Sequence, residues 1–169
     1  FEQLTAGAHP APDEISIQGR TVAVPLSARG VARFSFADLC DNPLGAADYL
    51  AIAKKFNTLI LSGIPYLKPS RRNEARRFIL LMDSLYEHNV NLVCSAEIAP
   101  DEIYPKGDGV DPFQRAVSRL LEMQGDDYLA LPHISEDGED ELVVAAEPDR
   151  EESDDQPDHR ALGGEPERG

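Results

Sequence analysis

The stretch TLILSGIPYLKPSRRNEARRFILLMDSLYEHNVNLVCSA, residues 58 to 96, decides the fold. TLILSGI (58–64) and VNLVCSA (90–96) are continuous apolar runs of strand length, the pattern of parallel strands buried on both faces. Between them, Ala75, Phe78, Ile79, Met82, Leu85 and Tyr86 recur at helical spacing through Ser70 to Glu87. Antiparallel strands need only a tight turn, whereas a connection this long with a helix inside it is the crossover of a βαβ unit. Such crossovers are almost always right-handed, so the two strands are expected as parallel neighbours.

Upstream, the period changes from helical to alternating. Ile15 and Ile17, then Val22 and Val24, occupy every second position on either side of Gly19-Arg20, which fits a short hairpin with one buried face. VARFSF (31–36) continues the pattern, with Val31, Arg33 and Ser35 on one side and Phe34 and Phe36 on the other. After Asn42-Pro43, the residues Ala46, Tyr49, Leu50, Ala53 and Phe56 mark one face of a helix. A last helix is expected to open at Asp111 as its cap. Pro112 stands in its first turn, Gln114 at capping-box spacing, and Phe113, Val117, Leu120 and Leu121 form its buried stripe.

The expected fold class is therefore α/β. It comprises a P-loop-NTPase-like βαβ unit with parallel strands, preceded by a short β hairpin or meander. Residues 1–14, rich in Pro, Ala and Gly, read as a connector from an upstream part, and residues 15–131 as the α/β body. Residues 132–169 read as a disordered acidic tail, too charged and too poor in aromatics to offset the entropy of ordering. Its one apolar island, Leu142 to Ala146, has two readings, an edge strand docked on the body or an unstructured run, and the second is expected because isolated five-residue runs in acidic tails are more often unstructured.

Charge separates tail from body. The chain carries a formal net charge of -15, and residues 134–169 hold fourteen Asp and Glu against three Arg, which leaves only -4 for residues 1–133. A near-neutral body argues against general affinity for nucleic acid or anionic membrane, both of which need clustered positive charge. No apolar run approaches the roughly 18 residues of a membrane span, so no integral membrane segment is expected. Cys40 and Cys94 sit in apolar surroundings without CxxC spacing and read as reduced, buried thiols of a cytoplasmic-type compartment. His9, His88, His133 and His159 show no ligand spacing, so no metal site is expected. A GxxxxGK[ST] phosphate loop does not occur, and TLILSGI ends in Ser62-Gly63 where a magnesium-holding strand would end in acids.

One constellation stands against the acidic background. RRNEARRF (71–78) places Arg71, Arg72, Arg76 and Arg77 in the first two turns of the long helix, where the backbone dipole is positive and each exposed cation costs about 0.3 to 1 kcal/mol. Arg115 and Arg119 form a second pair, four apart on the last helix, with Glu122 three positions beyond. Two readings apply to both. In the structural one, Glu74, Asp101, Glu102 or Glu122 neutralise the guanidinium groups locally. In the functional one, Arg76, Arg77, Arg115 and Arg119 accept a phosphate or a carboxylate of a neighbouring subunit. Ser95, at the end of the second run, stands where parallel sheets present polar groups to ligands.

GVARFSFADLC, PLGAADYLAIAKKF, RRNEARRFILLMDSLYE, VNLVCSAEIAPDEIY and FQRAVSRLLEMQ, in this order, resemble the C-terminal portion of the cell division protein ZapE family of AAA-type P-loop ATPases, which has mitochondrial relatives. The resemblance covers residues 15–130. It implies that the intact protein binds and hydrolyses ATP with Mg2+, through a phosphate loop and an acidic strand end upstream of Phe1, and that this part alone is inactive. It implies a homo-oligomer and a division-ring protein client in a bacterial cytoplasm, or a mitochondrial setting for an organellar relative. The strand, helix and strand of residues 58–96 would then repeat the order of an ATPase core with its acids gone. The alternative is a non-catalytic docking domain that recruits a protein client through the same arginines.

Overall fold

The computed structural model of the chain describes residues 1–136, and the Leu142 to Ala146 island and the rest of the expected tail lie outside them. Two tight turns build the first three strands, β1 (Ala11–Ile17), β2 (Arg20–Ala28) and β3 (Val31–Ser35). In each turn both central residues have positive φ, Gln18 and Gly19 in the first and Arg29 and Gly30 in the second. That backbone twist matches the twist of the strands it joins. Glycine suits position 30 because its φ of 76° is one that other residues rarely adopt, and a Cβ there would also displace the exposed Asn57 side chain. The first turn falls one residue earlier than the expected Gly19-Arg20, and β1 reaches back to Ala11, into the segment read as a connector.

Two βαβ units follow. Helix α1 (Ala46–Lys55) leads to β4 (Thr58–Ile64), and a 3₁₀ turn (Pro69–Arg71) opens α2 (Arg72–Glu87), which leads to β5 (Asn91–Ala96). Helices α3 (Val110–Glu122) and α4 (Asp126–Leu129) close the body. The sheet order is β1-β2-β3-β4-β5, antiparallel through β3 and parallel from β3 to β5. The expected α/β class, hairpin and parallel pairing of residues 58–64 with 90–96 are all present. Among the described residues, no helix is long and apolar enough to cross a membrane.

Both crossovers step the same way along the sheet, so their right-handed sense puts α1 and α2 on one face. The core forms there, with Ala32, Phe34, Leu59 and Leu61 from the strands packed with Tyr49, Ile52, Phe78 and Leu81 from the helices. Helix α3 adds a further layer over α2, with the Phe113 ring stacked 5.3 Å from that of Phe78. The opposite sheet face has a row of residues in register, Leu26, Arg33, Ile60 and Val93, none of which belongs to the core cluster.

This arrangement corrects several expectations. VNLVCSA is not buried on both faces. It is the last strand, half-buried at Asn91 and Leu92 and exposed from Val93 (49%) through Ala96. Cys94 is therefore exposed, whereas Cys40 is buried as expected, and both are free thiols. In α1 the buried face is Asp48, Tyr49, Ile52 and Ala53, while the expected Leu50 is 39% exposed. The face turns because Asp48 closes the helix from inside. Its Oδ2 accepts from the Gly45 amide (2.8 Å) and from Arg20 Nη2 (2.9 Å). Arg20 also lies 2.8 Å from Oδ1 as an ion pair but does not align a hydrogen with it.

Helix α3 begins one residue before Asp111, after the left-handed Gly109, with no side-chain cap. Gln114 instead donates to the Asp101 carbonyl at 3.3 Å. Ala116 joins Phe113, Val117 and Leu120 in the buried stripe, and Leu121 is 53% exposed. Residues 132–134 are tied to the body. The Asn89 side chain donates to the Pro132 carbonyl (2.8 Å), the Ile134 amide to the His88 carbonyl (3.0 Å), and His133 Nε2 meets the Ala53 carbonyl at 2.7 Å.

Candidate functional site: the arginine face of α2 and α3

The six arginines of the two helices and of the 3₁₀ turn that opens α2 divide by what they touch. Arg71 pairs with Asp41 and lies over the Phe36 ring, with Glu74 3.9 Å away. Arg77 does not use Glu74. Its Nη1 donates to the Cys40 carbonyl at 3.0 Å, which ties α2 to the turn after β3. Arg119 pairs with Asp83 and covers the Tyr86 ring at 5.1 Å, so it locks α3 to α2. Its expected partner Glu122 instead accepts from the Tyr86 hydroxyl at 3.0 Å. That bond to a carboxylate pushes the Tyr86 pKa up, because ionising the phenol would set two negative charges together.

Among the described residues, no ion pair reaches Arg72, Arg76 or Arg115, and all three are exposed. Arg72 and Arg76 border a groove of about 540 Å³ between the first half of α2 and the start of α3. Ile79, Leu80 and Pro112 supply its apolar lining, and Asn73 and Asp108 add polar groups. Arg115 stands one turn beyond Pro112 on the exposed side of α3. The structure thus brings Arg76 to the groove, leaves Arg115 open nearby, and employs Arg77 and Arg119 in packing. The arginine count marked this region in the sequence. Asn73 and Asp108 carried no signal, since their place in the lining depends on how α2 meets the loop before α3.

The carboxyl ends of the parallel strands do not fit Mg-ATP. Polar groups there are engaged with one another. Asp38 Oδ2 accepts from the Ser35 amide and hydroxyl, each at 2.7 Å, and the Ser62 hydroxyl donates to the Phe34 carbonyl at 3.4 Å. Ser95 Oγ accepts from the Gly63 amide at 3.0 Å, across the irregularity in the β4–β5 pairing, which gives it a structural use. Among the described residues, no group of His, Cys, Asp or Glu is arranged to hold a metal ion. Burial pushes the Cys40 thiol far up, and desolvation raises that of Cys94, so both depart from the low-pKa condition of a nucleophilic cysteine.

Comparison with known proteins locates the chain. The model of the AFG1-like ATPase family matches residues 1–132. Similar proteins include the cell division protein ZapE of Escherichia coli strain K12, 41% identical over 116 residues, which is 66% of this chain and 31% of that protein. The lactation elevated protein 1 homolog B of Danio rerio is 32% identical over 149 residues, or 69% of this chain and 30% of that protein. The chain thus spans about a third of the length of these relatives. No solved structure matches it.

Proposed function

The chain belongs to the AFG1-like ATPase family, and we propose that it is the C-terminal part of an AAA-type ATPase that binds and hydrolyses ATP with Mg2+ in its longer form. The likeness to a cell division protein supports a role in bacterial cell division, which we place at the division ring. The longer protein acts as a homo-oligomer on a protein client, and its nucleotide is held by residues outside this chain.

What this chain adds is positive charge placed on a rigid layer. The observation that carries the reading is the division among the arginines, in which Arg77 and Arg119 hold α2 and α3 in place while Arg76 and Arg115 stay exposed without a carboxylate partner among the described residues. An exposed guanidinium without a carboxylate partner presents its donor fork to an anion from elsewhere. In the proposed assembly, Arg76 and Arg115 face phosphate bound by other residues of the longer protein or by a neighbouring subunit. An arginine so placed changes turnover by about 10³ to 10⁵ in related chemistry. In a family-length protein carrying this segment, Arg76→Ala or Arg115→Ala is expected to lower ATP turnover at least about tenfold with the melting temperature unchanged. If both variants keep turnover within that factor, the arginine role is wrong.

A second reading is favoured by the groove lining. Ile79, Leu80 and Pro112 beside Arg72 and Arg76 suit an acidic peptide with apolar side chains better than a bare phosphate. Under this docking reading the same variants keep their ATP turnover and lose binding of the client.

A further inference from the structure

The two edges of the sheet are built differently. At one edge, β1 carries Pro12, Asp13 and Glu14 and a register irregularity between Ala11 and Asp13. Proline, charge and bulges are the devices that keep an exposed strand from pairing with another chain. At the other edge, β5 reads NLVCSA, without a charge, a proline or a lysine, yet Val93 to Ala96 are exposed. An unguarded, uncharged edge is an aggregation hazard if it stays open.

Among the described residues, little covers the sheet face beside that edge either. All-parallel sheets are covered on both faces almost without exception, and the β3–β4–β5 part of this mixed sheet is parallel. Here the helices lie on one face, and on the other burial is strong only at the strand starts, at Val31 (3% exposed) and Thr58 (8%). Further along, Leu26 and Ile60 are half-buried and Arg33 and Val93 exposed, in one row across four strands. No ion pair involves Arg33 among the described residues.

We propose that this face and the β5 edge form an interdomain interface of the longer family protein, covered by a segment outside this chain that brings an apolar stripe over Ile60 and Val93 and a carboxylate to Arg33. The source is argued from length, since the relatives extend over about three times the part this chain matches. A second copy is a poor occupant, because a two-fold pairing of this face centred on the row would bring two Arg33 guanidinium groups together. The proposal rests on the reading that the chain works within a longer protein, but not on any role of Arg76 or Arg115.

The test is amide hydrogen exchange at Val93–Ala96, measured in the 169-residue chain and in a family-length protein carrying it. The expected result is exchange at least tenfold slower in the longer protein, with Arg33→Glu returning it toward the rate of the short chain. Equal rates in the two proteins would overturn the proposal. So would protection in the short chain that grows with its concentration, which would make the occupant a second copy, or protection in the longer protein that needs an added client. ATP turnover of the Arg76 and Arg115 variants is a separate readout, so the two accounts fail separately.

Discussion

β4 and β5 are neighbours with similar sequences and opposite fates. TLILSGI buries Leu59, Leu61 and Ile64 completely, whereas NLVCSA is exposed from its third residue onward. The difference is position. β4 has a strand on each side and α1 and α2 over one face, while β5 is last in the sheet and the helix that follows it stacks on α2 rather than over it. Apolar composition states what a strand is able to bury, and its place in the sheet decides how much of that is buried within one chain.

The largest expected effect breaks the inner strand. Leu61→Ala removes a fully buried side chain from the centre of the core, and urea unfolding should show a loss of about 2–5 kcal/mol. A loss below about 1 kcal/mol would mean that the β4 core is far looser than its burial implies. Next in size is Asp48→Ala. It removes the acceptor of the Gly45 amide and the buried partner of Arg20, for an expected cost of about 1–3 kcal/mol in the same assay.

The thiols sharpen the comparison through pH. Burial raises the pKa of Cys40, so the folded state keeps its proton where an unfolded thiol, with a pKa of about 8.5, gives it up. The unfolded state then binds fewer protons, and stability falls as pH rises above that value, by up to about 1.4 kcal/mol per pH unit from this group. The contribution is fully present at neutral pH. A urea midpoint unchanged by Cys40→Ala in its pH dependence between about pH 8 and 10 would exclude this origin. Labelling separates the two residues directly. Cys94 should react with a thiol reagent in the native protein, faster as pH rises toward its raised pKa, and Cys40 only after unfolding. The smallest effect is expected at Val93→Ala, a change within about 0.5 kcal/mol for the chain alone.

Much of the fold could be read from local pattern. The long α2 helix, the first hairpin to within one residue, and the parallel partnership of residues 58–64 and 90–96 follow from periodicity and chain connectivity. The misread positions share a cause, namely that a periodic stripe locates a face only to within a residue. Leu50 and Leu121 fit an apolar stripe but flank the observed one, which turns to include Asp48 in α1 and Ala116 in α3. A buried aspartate is legible only once its partners Gly45 and Arg20 are known, and Arg20 lies 28 residues away. The candidate site was legible as a cluster of charge but not as a division of labour. That Arg77 turns to the Cys40 carbonyl and Arg119 to Asp83 depends on the packing of α2 against two other elements.

The central proposal is that this chain is an ordered scaffold whose residues take part in nucleotide chemistry only within a larger assembly. The most direct measurement is phosphate release from Mg-ATP by the purified 169-residue chain, with thermal unfolding followed on the same sample. The account predicts a cooperative unfolding transition and phosphate release no faster than the buffer blank. Sustained turnover that copurifies with the chain and vanishes when it is unfolded would contradict it.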